Sequence, residues 1–333
     1  MARGGMAWLA VVITIGGAMM GGRVTADEPP GPRAEAWRRV QQALDEARPQ
    51  SAGAALAGIE AEAVAAGAWD EAARAIATRV VVETGNRPPD DPERVVRLAR
   101  RIAEAPEATR QVLEAIEANW LLGYFLANRW RYQERTAGGA DGGLETIAEW
   151  DLPRIIAEIS GRFAAALGPP GSPERRRLQG QPVERWALLL PPAPMPDAWR
   201  PTLFDVVAHD SLSFFALGER GLVEPEDAFE IDAAGPALAG ADAYRAWRPE
   251  ETTTDTGSPL LAAALLHREL LDFHAADATR TAFLAADLER IEWAARSAVG
   301  DDVAARHREA LATFIAAAGD DPTGALGRYH LAA

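Results

Sequence analysis

The chain has 333 residues, nearly half hydrophobic and a quarter charged, with a formal net charge of −15. That is ordinary globular composition, with enough apolar material for one large domain or two, and its acidity argues against nucleic acid or an anionic membrane surface as the main partner. Cysteine is absent, which excludes disulfides, thiolate nucleophiles and thiolate metal sites; lysine is absent too, so apart from protonated histidine every side-chain cation is an arginine.

The N-terminus has the pattern of a secretory signal over residues 1–26. Arg3 supplies positive charge, residues 7–21 form an apolar run, and Val24-Thr25-Ala26 supplies small residues before a cut after Ala26. The run is short and glycine-interrupted, which does not suit a membrane span; an uncleaved anchor is the alternative. The mature chain is expected to be periplasmic or secreted, with no membrane attachment once the signal is removed.

Helices follow in series. In "RAEAWRRVQQALDEA", Trp37, Val40, Leu44 and Ala47 recur at three- and four-residue spacing. "SAGAALAGIEAEAVAAG" and "AWDEAARAIATRVVVETGN" form a helix pair joined at Gly67 and stopped at Gly85-Asn86, similar to one tetratricopeptide unit rather than a regular array. After "RPPDDP", helices are expected over 92–105 and 106–130, the second ending in the aromatic tract "NWLLGYFLANRWRYQERT". A glycine-rich turn leads to "WDLPRIIAEISGRFAAALG", a helix with Leu152, Ile155, Ile156, Ile159 and Phe163 inward and Pro153 in its first turn.

"GPPGSPERRRLQGQP" and "LPPAPMPDAWRP" read as loops around a short apolar stretch at 186–190. The basic run 174–180 is expected to be a solvated loop face. Residues 219–258 should be ordered loops, followed by helices over 259–275, 279–298, 301–318 and from 322 onward. The expected fold is mainly α: a helical bundle or irregular α-solenoid with tetratricopeptide-like pairs and long Pro/Gly-rich loops. Its regions are 27–86 (helix pairs), 87–190 (aromatic-rich), 191–258 (linker, capped helix and loops) and 259–333 (repeat-like). The last helix would expose Leu326, Tyr329 and Leu331 unless it docks back on the body.

The stretch "RPTLFDVVAHDSLSFF", 200–215, carries the sharpest chemical question. On a helix, Asp205, His209 and Ser213 share a face at four-residue spacing, which resembles a hydrolase triad. No G-x-S-x-G elbow occurs, however, and a mid-helix serine has its neighbouring N–H groups already engaged. The structural reading makes Thr202 an N-cap and Asp205 the acid of a capping box, with His209 bonded to Asp205 one turn back.

The same stretch resembles the "RPTLYDFLAHRAL-FF" tract near the N-terminus of very large bacterial alpha-2-macroglobulin-like proteins. "NRWRYQERT" at 128–136 and "TIAEWDLPRIIAEI" at 146–159 stand in the order that family shows, and 283–299 and the closing "ALGRYHLA" are also similar. The resemblance runs from Trp120 to the C-terminus and implies a helical N-terminal module, truncated or stand-alone, with the macroglobulin β-sandwich domains encoded separately as a possible partner. The family's thioester cysteine has no counterpart, so protease trapping is not implied.

The expected function is therefore a non-catalytic protein-interaction or scaffolding module, with no catalytic residue, cofactor or metal. Its contact surfaces would be Trp120, Tyr124, Trp130 and Tyr132 in the aromatic tract, and Leu326, Tyr329 and Leu331 at the C-terminus. The alternatives are a hydrolase using Ser213, His209 and Asp205, or a tetratricopeptide-type peptide-binding adaptor. His267 and His274, seven apart, lack zinc-ligand spacing and are expected on a helix surface near Asp272 and Asp277.

Overall fold

The computed structural model describes residues 32–85, 87, 91–133, 142–186, 196–217 and 227–332. The expected signal segment and the apolar residues 187–190 lie outside them. The fold is mainly α-helical, and it divides into two compact units. One comprises Met1–Pro194 with Thr202–Asp210, the other Met195–Pro201 with Ser211–Ala333. The regions 27–86 and 87–190 fall within the first unit.

In the first unit, α1 (Ala34–Asp45), α2 (Pro49–Ala66) and α3 (Trp69–Thr84) follow one another with short links. Trp37, Val40 and Ala43 of α1 meet Ala52, Leu56 and Ile59 of α2 and Ala75 and Val82 of α3 in one apolar cluster. The stripe on α1 thus runs through Ala43, because the helix ends at Asp45 and Ala47 lies beyond it. Gly67 closes α2 with φ of 67°, donating to Val64 while Ala68 N–H reaches the Ala63 carbonyl at 2.9 Å. A side chain is strained in that left-handed turn, so glycine is required there. A buried polar clamp ties the ends of this group together. Glu71 accepts from Arg33 Nε at 2.7 Å and from the Trp37 indole N–H at 2.8 Å, and the Arg74 guanidinium lies 4.4 Å from the Trp37 ring centroid.

Helix α4 (Glu93–Glu104) leads to α5 (Glu107–Gln133), which packs against α3, α4 and α6 (Leu152–Leu167). Helix α5 is buried nearly all round, through Leu113, Ile116, Leu121, Phe125 and their neighbours. Asp151 caps α6, accepting from Arg154 N–H at 3.0 Å, with Pro153 in the first turn as its fixed φ favours. The segment expected to be a loop contains a short helix, α7 (Pro173–Gln179), because Ser172 caps it and Pro173 starts it. Arg175 of that basic run is buried rather than solvated. Its Nε donates to the carbonyls of Leu167 and Gly168, at 2.9 and 3.1 Å, and so satisfies the end of α6.

The second unit is arranged around α11 (Thr281–Ser297), which packs against α10 (Pro259–His274), α12 (Val303–Ala318) and α13 (Pro322–Ala332). Before them come β1 (Ile231–Asp232) and the short α9 (Ala241–Ala246), and β1 pairs in parallel over two residues with β2 (Ala298–Val299), which follows α11. Arg290 of α11 is fully buried. It donates to Asp287 at 3.1 Å and to the carbonyls of Ala237 and Ala239 at 2.7 and 2.9 Å, and its guanidinium lies 4.9 Å from the Tyr244 ring centroid. Tyr244 in turn donates to the Ala264 carbonyl at 2.9 Å. One guanidinium thereby satisfies backbone carbonyls that loop 233–240 would otherwise bury unpaired.

Replacing Arg290 by Met is expected to destabilise the second unit by about 3–5 kcal/mol, because it strands the Asp287 charge and two carbonyls. Urea unfolding followed by a probe within residues 227–332 checks this.

Candidate functional site

Helix α8 (Leu203–Phe215) carries the stretch whose chemistry the sequence left open. Its start is the capping box expected from the sequence. Thr202 N–H and the Thr202 hydroxyl both donate to Asp205 Oδ2, at 2.9 and 2.8 Å, and Asp205 N–H lies 3.4 Å from Thr202 Oγ1. Leu203 N–H donates to the Gln181 carbonyl at 2.9 Å, and Pro182 pairs with Thr202 in an antiparallel bridge, so the exit from α7 holds the entry to α8. The Arg175 guanidinium lies 5.3 Å from the Phe204 ring centroid.

His209 does bond one turn back, but to the Asp205 backbone carbonyl, 2.6 Å from its Nδ1, rather than to the carboxylate. A triad needs the carboxylate on an imidazole nitrogen; here Asp205 Oδ2 serves the cap. Asp205 and His209 are both buried.

The aromatic tract is corrected by its burial. Trp120, Tyr124 and Tyr132 are 4%, 2% and 1% exposed, so they are core residues and offer no contact surface. Tyr132 donates to the Ile147 carbonyl at 2.9 Å, and its ring lies 5.8 Å from that of Phe125. Trp150 donates to the Thr146 hydroxyl at 3.2 Å and carries the Arg154 guanidinium 4.3 Å from its ring centroid. The tracts at 128–136 and 146–159 are thus joined by packing and hydrogen bonds among their described residues. Trp130, 58% exposed, is the member of the tract that faces outward.

The C-terminal helix does dock. Leu326 is half-buried against the cluster of Leu284, Leu288, Ile291, Leu311 and Phe314, which corrects its expected exposure. Gly327 permits the approach: a Cβ built there would meet the Phe314 ring at 2.8 Å. Asp321 caps α13 by accepting from Thr323 N–H and hydroxyl at 2.9 and 2.7 Å, and its other oxygen accepts from the Thr281 hydroxyl at 2.8 Å. Glu292 of α11 lies 2.8 Å from His307 Nε2 of α12 and 3.3 Å from His330 Nδ1 of α13, linking three helices. Tyr329 and Leu331 remain exposed, at 67% and 39%.

His267 and His274 are buried rather than on the surface, 3% and 2% exposed. His267 packs on Trp293 with ring centroids 4.9 Å apart, and His274 Nδ1 lies 2.7 Å from Asp277. Among the described residues no group of three or more histidine, aspartate and glutamate side chains is arranged to hold a metal ion, and no helix is long and apolar enough to cross a membrane.

Sequence reading missed a buried acid. Glu117 of α5 has a fully buried side chain, and one oxygen accepts from Arg162 of α6 at 3.0 Å. Burial raises its pKa from 4.5 to about 7, against the opposing attraction of Arg162. Its only sequence signal is position, since Glu117 lies between Ile116 and Ala118. Comparison with protein-family models, curated proteins and solved structures found no match.

Replacing Gly327 by Ala should force α13 away from Phe314 and cost about 1–3 kcal/mol, read as a lower thermal midpoint together with faster amide exchange across residues 322–332.

Proposed function

We propose that this chain is a non-catalytic, extracytoplasmic protein-interaction module of the kind found at the N-terminus of bacterial alpha-2-macroglobulin-like proteins. The observation that carries the reading is the combination on α13 of a rigid attachment with an outward apolar edge. Gly327, Leu326, Asp321 and His330 fasten the helix, while Tyr329 and Leu331 stay in solvent. An aromatic side chain on a fastened helix is a suitable interface anchor, because the backbone that carries it has little freedom left to lose on binding. The partner proposed is a separately encoded macroglobulin-type β-sandwich domain. The capping role of Asp205 and the carbonyl bond of His209 favour this reading over a hydrolase built on Ser213.

A second reading, a tetratricopeptide-type adaptor, is favoured by the first unit. There each helix from α1 to α6 packs against the next, as in an irregular α-solenoid. A groove of about 570 Å³ runs along Gly53, Ala54 and Ala57 of α2, Arg79 and Val82 of α3 and Arg97 of α4. An extended peptide with small side chains would fit it.

Purified macroglobulin-type domain, titrated against the chain and a Tyr329→Asp, Leu331→Asp variant, distinguishes the two. The variant should keep its thermal midpoint, since both positions are exposed, and lose at least about tenfold in affinity as hot-spot residues do. Binding that survives there but disappears in Ala57→Trp, which fills the groove, would favour the adaptor. Export is tested separately: N-terminal sequencing of the chain recovered outside the cytoplasm should begin at Asp27.

A further inference from the structure

We propose that the packing of α6 on α5 is operated by a proton carried on Glu117. The charges at this interface do not balance. Arg162 of α6 donates to Glu117 at 3.0 Å and is also bound by Glu158 on its own helix, at 2.9 Å from Nε and 2.8 Å from the second terminal nitrogen. Glu114, half-buried one turn before Glu117, adds a third carboxylate to the field of one guanidinium. Glu117 Oε1 is buried and has no hydrogen-bond partner among the described residues.

Among the described residues, the other elements packed on α5 bring no further cation to Glu117. Arg94 of α4 is spent on the Trp120 ring, 5.8 Å from its centroid. On α3, Glu71 is taken by Arg33, Arg79 by Glu83 and Glu60, and Arg74 by Trp37. Asp210 of α8 accepts from Asn119 at 3.1 Å. Arg110, on α5 itself, attracts Glu114 less than Arg162 does and donates to the Ala105 carbonyl at 3.1 Å.

A buried carboxylate with one oxygen unpaired is costly, whereas the neutral acid is not. The direction follows from proton counting. The folded Glu117 pKa of about 7 lies above the unfolded value of 4.5, so between them the folded state holds more protons. The contribution of Glu117 to stability is therefore greatest below the lower value, falls as pH rises through that window, and is flat above it. The loosened contact is the α5–α6 interface, because Arg162 is the group that must hold the charge.

The test compares the mature chain with Glu117→Gln, a neutral isostere of the protonated acid. In urea unfolding, the ratio of their unfolding constants should change on the order of 100-fold between pH 5 and pH 8, the variant being relatively more stable at the higher pH. Amides of α6, corrected for intrinsic exchange, should lose protection over the same range in the parent chain and not in the variant. A ratio that stays constant with pH overturns the proposal.

Carbon-13 titration of the glutamate carboxyls in the parent chain keeps the test independent of the variant's folding. One glutamate should titrate near neutrality and persist in Glu114→Gln. If none titrates above pH 6, the proposal fails.

Discussion

A helix buried on every side can carry polar side chains only where the surrounding elements satisfy them, and each unit of this chain is organised around such a helix. In α11 the polar group is Arg290, whose donors fit Asp287 and the carbonyls of Ala237 and Ala239. That arrangement ties loop 233–240 to α11, because a buried carbonyl needs a donor. In α5 the fit is incomplete. Gln111 and Asn128 are matched to carbonyls, at 3.0 and 3.0 Å for Glu174 and Tyr124 respectively, while Glu117 keeps one oxygen unmatched. The same constraint therefore yields a fixed scaffold in one unit and a protonation-sensitive contact in the other.

The tracts with family resemblance acquire a physical meaning from this arrangement. "NRWRYQERT" and "TIAEWDLPRIIAEI" are linked by Tyr132 on the Ile147 carbonyl, and Trp150 on Thr146 holds the second tract internally, so these buried side chains serve packing. The stretch at 200–215 is likewise a cap and a core face. Buried tracts of this kind specify a scaffold; recognition would fall to the side chains left outside it, of which Trp130, Tyr329 and Leu331 are the large apolar ones in these elements. An interaction role is compatible with that division, since a partner reads only exposed edges.

Much of the fold was legible because its signals are local. Gly67 and Gly85 ended helices, Pro153 stood in the first turn of one, and Thr202 with Asp205 formed a capping box. These depend on backbone geometry within a few residues, which side-chain type reports directly. The α7 helix was missed because its proline and glycine neighbours read as loop, although Ser172-Pro173 is itself a helix start. His267, His274 and Arg175 were expected in solvent, yet Asp277 meets His274, the end of α6 accepts from Arg175, and His267 packs on the Trp293 ring.

By itself, then, the sequence determined that the chain is helical, where most helices start and stop, and that Asp205 belongs to a cap. Only the tertiary structure decided that Trp120, Tyr124 and Tyr132 point inward while Trp130 points out. It also decided that α13 seats Gly327 on Phe314, and that Glu117 is sealed beside a single arginine. The physical reason is one of range. Capping and periodicity act over a turn or two, whereas burial depends on which distant helices cover a face. A helix covered on all sides has no polar stripe from which that covering can be read.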